Sequence, residues 1–300
     1  MSELDFGIHY SCQSPERNWE DIYQDTLSQA KIAEELGYST FSVAEHHFLP
    51  DGWIPAPFVM LGALSAATDN MNLVTNISIL PLHNPIKVAE RAAVLDTLSG
   101  GSFSLGVAIG WRDEEFKTFD VDKSSRVQRV EEGIELLRAL FTEEAVSYDG
   151  DMFTVDDLTL MPRPVQDTIP IWYGGQSRKA IERSAEMADA WSISPIETVG
   201  KLSRGIEIYA DELEKHDRHI EDVHVPLRRE VYVAEDDETA WEEVGPSLLY
   251  EYEDVYGDYD DIDHSFASSS EESAIAELRD HAEDRFIIGS PETAVQELER

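Results

Sequence analysis

The chain has 300 residues, which suits one α/β barrel, and 42% of them are hydrophobic, enough for a large core. Its 62 acidic and 23 basic residues give a formal net charge of −39, which argues against nucleic acid or an anionic membrane as a partner. One cysteine excludes an internal disulfide and a cysteine-rich metal site, and the absence of a long apolar run or a signal-peptide pattern predicts a cytoplasmic protein.

The acidic residues are spread along the whole chain, with a denser tract at residues 250–263. A charge of this size repels itself and opposes a compact fold unless counterions screen it. In molar salt the screening length is only about 3 Å, so most of the repulsion is removed. The composition therefore predicts a halophilic protein of an acidic proteome, stable in molar salt and destabilised in dilute buffer.

Strands and helices alternate along the first half of the chain. Short apolar runs predict strands at residues 4–10, 39–44, 73–80 and 103–109. Helical spacing of apolar residues, together with cap residues, predicts helices at residues 18–36, 57–67, 84–98 and 125–141. This alternation favours parallel βα units over an all-helical or all-strand fold.

The alternation pauses at residues 146–160, where Asp149 and Gly150 separate two β-forming runs and predict a hairpin, part of an insertion at about 143–165. Further strands are predicted at residues 169–173, 190–193, 224–233 and 286–288, and further helices at residues 178–187, 198–216 and from 291 onwards. We count seven βα-type strands before the last helix and expect the eighth to be missing from this chain. No repeat or linker divides it, so one domain over residues 1–300 is predicted.

Reactive and glycine-rich residues follow directly after three of the predicted strands. These residues are Glu45, His46 and His47, then Gly110, Trp111 and Arg112, and then Gly174, Gly175, Gln176 and Ser177. In a barrel of alternating strands and helices, the loops at the carboxyl ends of the strands share one rim, which holds the active site. The sequence therefore predicts that these scattered positions converge.

Several segments, in this order, resemble the bacterial luciferase-like monooxygenase family of flavin and deazaflavin enzymes. They are AEHHF from Ala44, ILPLHNPIKVAERAAVLDTLSGGSFSLGVAIGW from Ile79, EEF from Glu114, MPRPVQ from Met161, IPIWYGG from Ile169 and GSPE from Gly289. The resemblance implies a (β/α)8 TIM-type barrel with a hairpin insertion and an oxidoreductase that uses reduced FMN or coenzyme F420. It also implies a small-molecule substrate, a homodimer and, for a monooxygenase, a separate flavin reductase.

The pair His46 and His47 is the candidate for proton transfer, because the pKa of an imidazole lies near neutrality. By the resemblance, His46 takes the catalytic position. Alternation along a strand points His47 to the other side. A purely structural role for either histidine is the alternative. A metal site is not supported, because adjacent histidines on a strand face apart and the sequence marks no third ligand.

The turn formed by Gly174, Gly175, Gln176 and Ser177 leads into a helix, where backbone N–H groups favour an anion. The resemblance implies that a cofactor phosphate binds there and that a non-proline cis peptide at Asn76–Ile77 lies behind the flavin ring. Gly110 is predicted at the same cofactor. An ordinary capped turn and a core asparagine are the alternatives.

Two features leave the cofactor open. Luciferase has Cys-Arg where this chain has Ala108 and Ile109, and an isoleucine cannot pair with a phosphate. This difference favours F420, whereas the family as a whole favours FMN. Arg112 either neutralises a cofactor anion or forms a surface salt bridge.

The function predicted from these features is monooxygenation of a small organic substrate by reduced FMN and O2. The alternatives are an F420-dependent hydride-transfer oxidoreductase and a non-catalytic flavin-binding paralogue. An apolar or aromatic substrate pocket is predicted from His47, Phe48, Trp53 and Trp111. Residues 250–270 correspond either to a lid over the site or to a solvated acidic loop.

Overall fold

The structure is a computed structural model that describes residues 4–256 and 270–300. Its contacts divide the chain into two compact units. The first contains Met1–Ser192 and Glu212–Val225, and the second contains Ile193–Asp211 and Pro226–Arg300. None of the helices in the described ranges is both long and apolar enough to cross a bilayer.

A parallel sheet forms the centre of the first unit. Its six strands are β1 (Gly7–Tyr10), β2 (Thr40–Val43), β3 (Asn72–Ile79), β4 (Phe103–Ala108), β7 (Ile171–Gly174) and β8 (Ala190–Ser192). They lie in the order β1-β2-β3-β4-β7-β8, and each neighbouring pair is parallel. The ends of β2, β3, β4 and β7, where the candidate residues follow, therefore lie along one edge of the sheet.

The remaining strands of the first unit form the predicted hairpin. β5 (Val146–Asp149) and β6 (Thr154–Leu158) pair antiparallel. The MPRPVQ segment that follows is fixed at both ends. Arg163 donates to the carbonyls of Leu140 and Phe141 at 3.0 and 2.8 Å, which satisfies the last turn of the preceding helix. The fully buried carboxylate of Asp96 accepts hydrogen bonds from the backbone of residues 165 and 166. This motif of the sequence resemblance therefore has a structural explanation.

Ten α-helices occur among the described residues. They are α1 (Trp19–Glu35), α2 (Pro57–Ser65), α3 (Pro85–Leu98), α4 (Asp113–Thr118), α5 (Arg126–Thr142), α6 (Arg178–Met187), α7 (Val199–Lys215), α8 (Asp237–Tyr250), α9 (Glu271–Ala282) and α10 (Pro291–Leu298). The side chains of Asn18, Asn84 and Ser177 accept backbone hydrogen bonds as N-caps of α1, α3 and α6. Most predicted boundaries are therefore correct to within about two residues.

The second unit has its own short parallel pair, β9 (Val231–Val233) and β10 (Ile287–Gly289). Buried residues of α8 and α9, among them Trp241, Leu248 and Leu278, pack with Phe286 into one apolar cluster. One π-helical turn, Glu251–Val255, continues α8.

Three expectations differ from the structure. Strand 224–233 is reduced to β9, because residues 224 and 227 form only isolated bridges. Helices α4, α8 and α9 were not predicted. The missing strand is not confirmed: the described residues contain eight strands in parallel pairs, six in one sheet and two in the other, and β10 precedes the last helix. Of the lid-like segment, residues 257–269 lie outside the described residues, and residues 250–255 are helical.

Candidate active site

His46 follows β2 and is held by a buried carboxylate. Its Nδ1–H donates to Glu115 Oε1 at 2.9 Å, and the backbone N–H of His47 donates to the same oxygen at 2.9 Å. Glu115 lies on α4 and has no exposed surface. No described residue hydrogen-bonds to His46 Nε2. The carboxylate therefore sets the tautomer, and Nε2 is the nitrogen left for a reacting group.

Two indole rings surround the His46 imidazole. The ring centroid of Trp53 lies 4.8 Å away and that of Trp111 lies 5.9 Å away, both in edge-to-face arrangements. His46 is only 8% exposed. The structure therefore brings these three predicted residues together in an aromatic, largely water-free setting.

Glu45 lies at the centre of a second hydrogen-bonded cluster, which we call the Glu45 cluster: Glu45, His47, Ser78, Ile79 and His83. Oε1 accepts from His47 Nε2 at 2.9 Å and from His83 Nε2 at 2.6 Å. Oε2 accepts from the Ser78 hydroxyl at 2.6 Å and from the Ile79 backbone N–H at 2.9 Å. Burial alone would raise the pKa of Glu45, but the charge of His83 and the hydrogen bonds from His47, His83 and Ser78 outweigh it and lower that pKa well below its usual range.

The donor set of Glu45, His47 and His83 is one that could hold a metal, since one ligand atom from each lies within 4.8 Å of the others. Ligands of a tetrahedral zinc ion are about 3.3 Å apart. The two nitrogen-to-Oε1 distances of 2.9 and 2.6 Å are shorter and match hydrogen bonds. The three residues therefore form a hydrogen-bonded cluster. His46 and His47 lie after the end of β2, and their rings have different partners: Glu115 for His46 and Glu45 for His47.

The end of β3 carries the cis peptide that the resemblance implied, at Asn76–Ile77. The pairing of β3 with β4 shifts register between Thr75 and Ser78. The Asn76 Oδ1 accepts from the Ser192 hydroxyl at 2.8 Å, so the side chain of this buried asparagine is satisfied. A Cβ on Gly174 would come within 1.9 Å of Ile77 Cδ1, so the end of β7 packs directly on this peptide.

The turn after β7 is as tight as its glycines suggest. Gly175 has φ +148°, and a Cβ there would lie 2.7 Å from Ala180 Cβ in the first turn of α6. The Ser177 hydroxyl accepts from the Ala180 N–H at 3.3 Å. Gln176 is half-buried and Ser177 is exposed. Ser177 thus caps one of the first N–H groups of α6, which lack partners within the helix; anion binding at this turn remains a prediction.

Arg126, at the start of α5, lines an open surface depression of about 380 Å³ with Lys123, Ser124 and Val127. Arg126 forms no ion pair with a carboxylate of the described residues, but Asp113 is near enough to be affected by its charge: the hydrogen bond from Lys123, the charge of Lys123 and the charge of Arg126 together lower the pKa of Asp113. Burial raises the pKa of the Tyr173 hydroxyl, and the positive charges of Arg183 and Arg126 oppose that rise. Arg126 therefore acts electrostatically on the residue just before Gly174.

The other predicted residues have mostly structural partners. Gly110 has φ +72°, and a Cβ there would lie 2.6 Å from Ile79 Cγ2, so packing alone requires glycine. Arg112 donates to the His47 carbonyl at 2.8 Å and lies 3.6 Å from Glu115, which supports the salt-bridge interpretation. Phe48 is 50% exposed, and its ring stacks 5.5 Å from that of Phe119, apart from the indoles that surround His46.

Four residues of the site were missed from sequence: His83, Glu115, Arg126 and Ser192. Glu115 stands in the EEF segment, so an acidic residue soon after a strand end was the available signal. His83 directly precedes the Asn84 helix cap and could not be linked to Glu45 without the strand pairing. Arg126 has no motif around it, so no signal in the sequence marked it.

Residues 5–300 match the family model described as luciferase-like monooxygenase. The chain belongs to this family. An uncharacterized protein of Mycobacterium tuberculosis is 34% identical over 186 residues, which is 55% of this chain and 66% of that protein. The oxygenase component of the flavin-dependent trigonelline monooxygenase of Acinetobacter baylyi is 25% identical over 240 residues, 78% of this chain and 65% of that one. The chain thus spans less than two thirds of these luciferase-like relatives.

Solved structures share the luciferase-like fold over nearly the whole chain. The monooxygenase RslO1 of Streptomyces bottropensis has a TM-score of 0.85 at 22% identity, covering 99% of this chain and 88% of that one. A type II Baeyer–Villiger monooxygenase of Pseudomonas putida in complex with FMN has a TM-score of 0.79 at 16% identity, covering 99% and 87%. An F420-dependent secondary alcohol dehydrogenase with an F420–acetone adduct has a TM-score of 0.77 at 18% identity, covering 98% and 88%.

Proposed function

We propose that this chain is the oxygenase of a flavin-dependent system, a (β/α)8 barrel enzyme that monooxygenates a small organic substrate with reduced FMN and O2. The observation that carries the proposal is His46. Its Nδ1 is fixed by buried Glu115, its Nε2 has no partner among the described residues, and two indole rings surround it. This arrangement suits a group that holds or passes a proton at one defined atom.

The residues present fit a flavin phosphate. Arg126 lines an open surface depression and forms no ion pair with a described carboxylate, although its charge helps to lower the pKa of Asp113. Ser177 and the turn at Gly175 add backbone donors at the start of α6. Arg126 supplies the charge-assisted contact that Ile109 cannot, so the missing luciferase arginine no longer argues against FMN.

Bound reduced FMN supplies two electrons and two protons, with which O2 yields one oxygen atom for the substrate and one molecule of water. The residues of this chain do the remaining work. His46 Nε2 gives or takes a proton beside the ring, and Glu115 keeps that nitrogen facing the reactants. Trp53 and Trp111 exclude water from the imidazole. Ile77 and Gly174, which lie against each other, would form the wall of the flavin site.

The test is cofactor binding and single turnover in molar KCl. The wild type is expected to bind reduced FMN more tightly than F420, and His46→Gln is expected to slow flavin oxidation in the presence of substrate by about 100-fold or more. His216→Gln, on an exposed histidine, serves as the control. Tighter F420 binding would instead support hydride transfer. An unchanged rate in His46→Gln would indicate a flavin-binding paralogue.

The partners follow from the same proposal. A separate reductase supplies the reduced flavin, supported by the description of the trigonelline enzyme as an oxygenase component. The substrate is apolar or aromatic, supported by Trp53 and Trp111 beside His46. A homodimer is supported by α2, which carries no charged residue and leaves Val59 74% exposed in a chain of net charge −39. Sedimentation in molar KCl checks the last point.

A further inference from the structure

The Glu45 cluster joins two strand ends that the proposed reaction uses. Glu45 stands one residue before His46, after β2. Its Oε2 accepts from Ser78 and from the Ile79 N–H, which directly follow Asn76 and Ile77 at the end of β3. A single buried side chain thus connects the segment that carries the imidazole to the segment that we assign to the wall of the flavin site.

Both oxygens of the Glu45 carboxylate are fully used by hydrogen bonds between the ends of β2 and β3. Each oxygen accepts two hydrogen bonds, from His47 and His83 on one side and from Ser78 and Ile79 on the other. The Ile79 N–H bonds the Glu45 side chain. Ser78 and Ile79 also pair with Val107 and Ala108 of β4, so Glu45 adds a tie to β2 at a strand end that β4 already supports. A carboxylate with four donors is held much more rigidly than one with a single partner.

We propose that Glu45 is a positioning residue, which sets the distance between His46 and the Asn76–Ile77 segment by tying the ends of β2 and β3 together. This inference rests on the proposed function, because it assigns the tie to the geometry of the flavin reaction. Glu45 itself touches no reacting atom. His83, with 21% of its side chain exposed, closes the cluster on the solvent side.

The variant that tests the proposal is Glu45→Gln. The amide keeps the shape but removes the negative charge and replaces one acceptor oxygen by an NH2 group, which cannot accept the two hydrogen bonds made to that oxygen. A shift of about 1 Å between reacting groups costs about 100-fold in rate. We therefore expect kcat to fall by about 100-fold and reduced-flavin binding to weaken. We also expect amide exchange at Ile79 and His47 to accelerate in the cofactor-free protein.

A matched control is available in Asp96→Asn. Asp96 is also fully buried and also accepts backbone hydrogen bonds, from Val165 and Gln166, but at the end of α3. It is expected to lower Tm without changing kcat or flavin affinity. A second variant, His83→Gln, offers a donor to Glu45 in place of the imidazole and is expected to retain most of the activity.

The proposal is overturned if Glu45→Gln behaves like Asp96→Asn, losing only stability. It is also overturned if the exchange of the Ile79 amide is unchanged. Because amide exchange is measured without cofactor, it tests the tie made by Glu45 separately from the proposed flavin-dependent function. If the wild type binds neither flavin nor F420, the proposed function is wrong. Accelerated exchange at Ile79 in Glu45→Gln would then show only that Glu45 holds the end of β3, and the role in catalysis would be wrong as well. Zinc binding that is lost in His83→Gln would show a metal site instead.

Discussion

The ends of β2 and β7 are built in opposite ways. After β2, the polar side chains bond to one another. The carboxylates of Glu45 and Glu115 are buried, and they accept hydrogen bonds from His47 and His46. After β7, the chain offers glycines, a capped helix start and an exposed Ser177. The first end fixes a reacting group through protein contacts, whereas the second leaves backbone donors for a ligand. Substitutions at the first should therefore affect turnover, and substitutions near the second should affect binding.

The largest effect that would sharpen this contrast is expected from Glu115→Gln. Loss of the charge beside His46 Nδ1 relaxes the tautomer and orientation of the ring, so kcat should fall by about 100-fold. KM and flavin affinity should change little. Steady-state kinetics at a fixed reductase concentration measures kcat and KM separately. Glu114→Gln, its exposed neighbour, is the control, and an equal loss there would contradict the assignment.

The next effect is expected at the binding end, from Arg126→Gln. A hydrogen bond to a charged group contributes roughly 2 kcal/mol, so FMN affinity should fall about 30-fold. Riboflavin, which lacks the phosphate, should lose almost nothing. Fluorescence titration of both ligands provides the comparison. Arg91→Gln, on an exposed arginine of α3, is the control, and equal losses for FMN and riboflavin would separate Arg126 from the phosphate.

A smaller effect is expected from Gly175→Ala. The glycine has φ +148°, and the new methyl group would lie 2.7 Å from Ala180 Cβ, so the turn must move away from α6. We expect a loss of about 1–3 kcal/mol in the free energy of unfolding and weaker FMN binding with kcat preserved at saturation. Urea unfolding and a flavin titration measure the two parts. A fall in kcat at saturating FMN would contradict the assignment of turnover to the end of β2 and of binding to the end of β7.

The smallest effect on the active site is expected from a change in salt concentration, which acts mainly on the charged surface. Raising KCl from dilute buffer to molar concentration should raise Tm by several degrees, because counterions screen the net charge of −39. The buried hydrogen bonds of His46 and Glu115 should respond little, so kcat per folded molecule should stay nearly constant. Thermal scans and activity across the same KCl series test both statements. A flat or falling Tm would refute the halophilic interpretation.

The sequence predicted local structure well where local chemistry decides it. The Asn84-Pro85 and Ser290-Pro291 pairs begin α3 and α10, and Asp149-Gly150 marks the hairpin. The short strand β9 was overestimated, because the β-formers around it do not distinguish a ladder from isolated bridges. Helices α8 and α9 were missed; they flank the acidic segment 250–270, which was interpreted as a lid or a solvated loop.

From the sequence, only those site residues could be predicted that lie at or next to the end of a predicted strand. His46, Gly174 and the Asn76–Ile77 segment were found because each follows or interrupts an apolar run, and the resemblance assigned their roles. Glu115 could not be paired with His46, nor His83 with Glu45, because those contacts join residues 69 and 38 positions apart. Such pairs depend on strand order and register, which no local pattern in one sequence specifies.

The anchors on either side of the hairpin have a consequence for how this chain can change. Leu140 and Phe141 accept from Arg163, and Asp96 holds the next residues, so the polypeptide leaves and re-enters the sheet at two fixed points. The turn between β5 and β6 is held as well, because Glu132 of α5 accepts from the backbone N–H groups of Met152 and Phe153 at 2.9 and 3.3 Å. A recognition module or a reporter grafted into this turn must therefore keep both bonds to Glu132, since α5 begins at Arg126 of the proposed phosphate site.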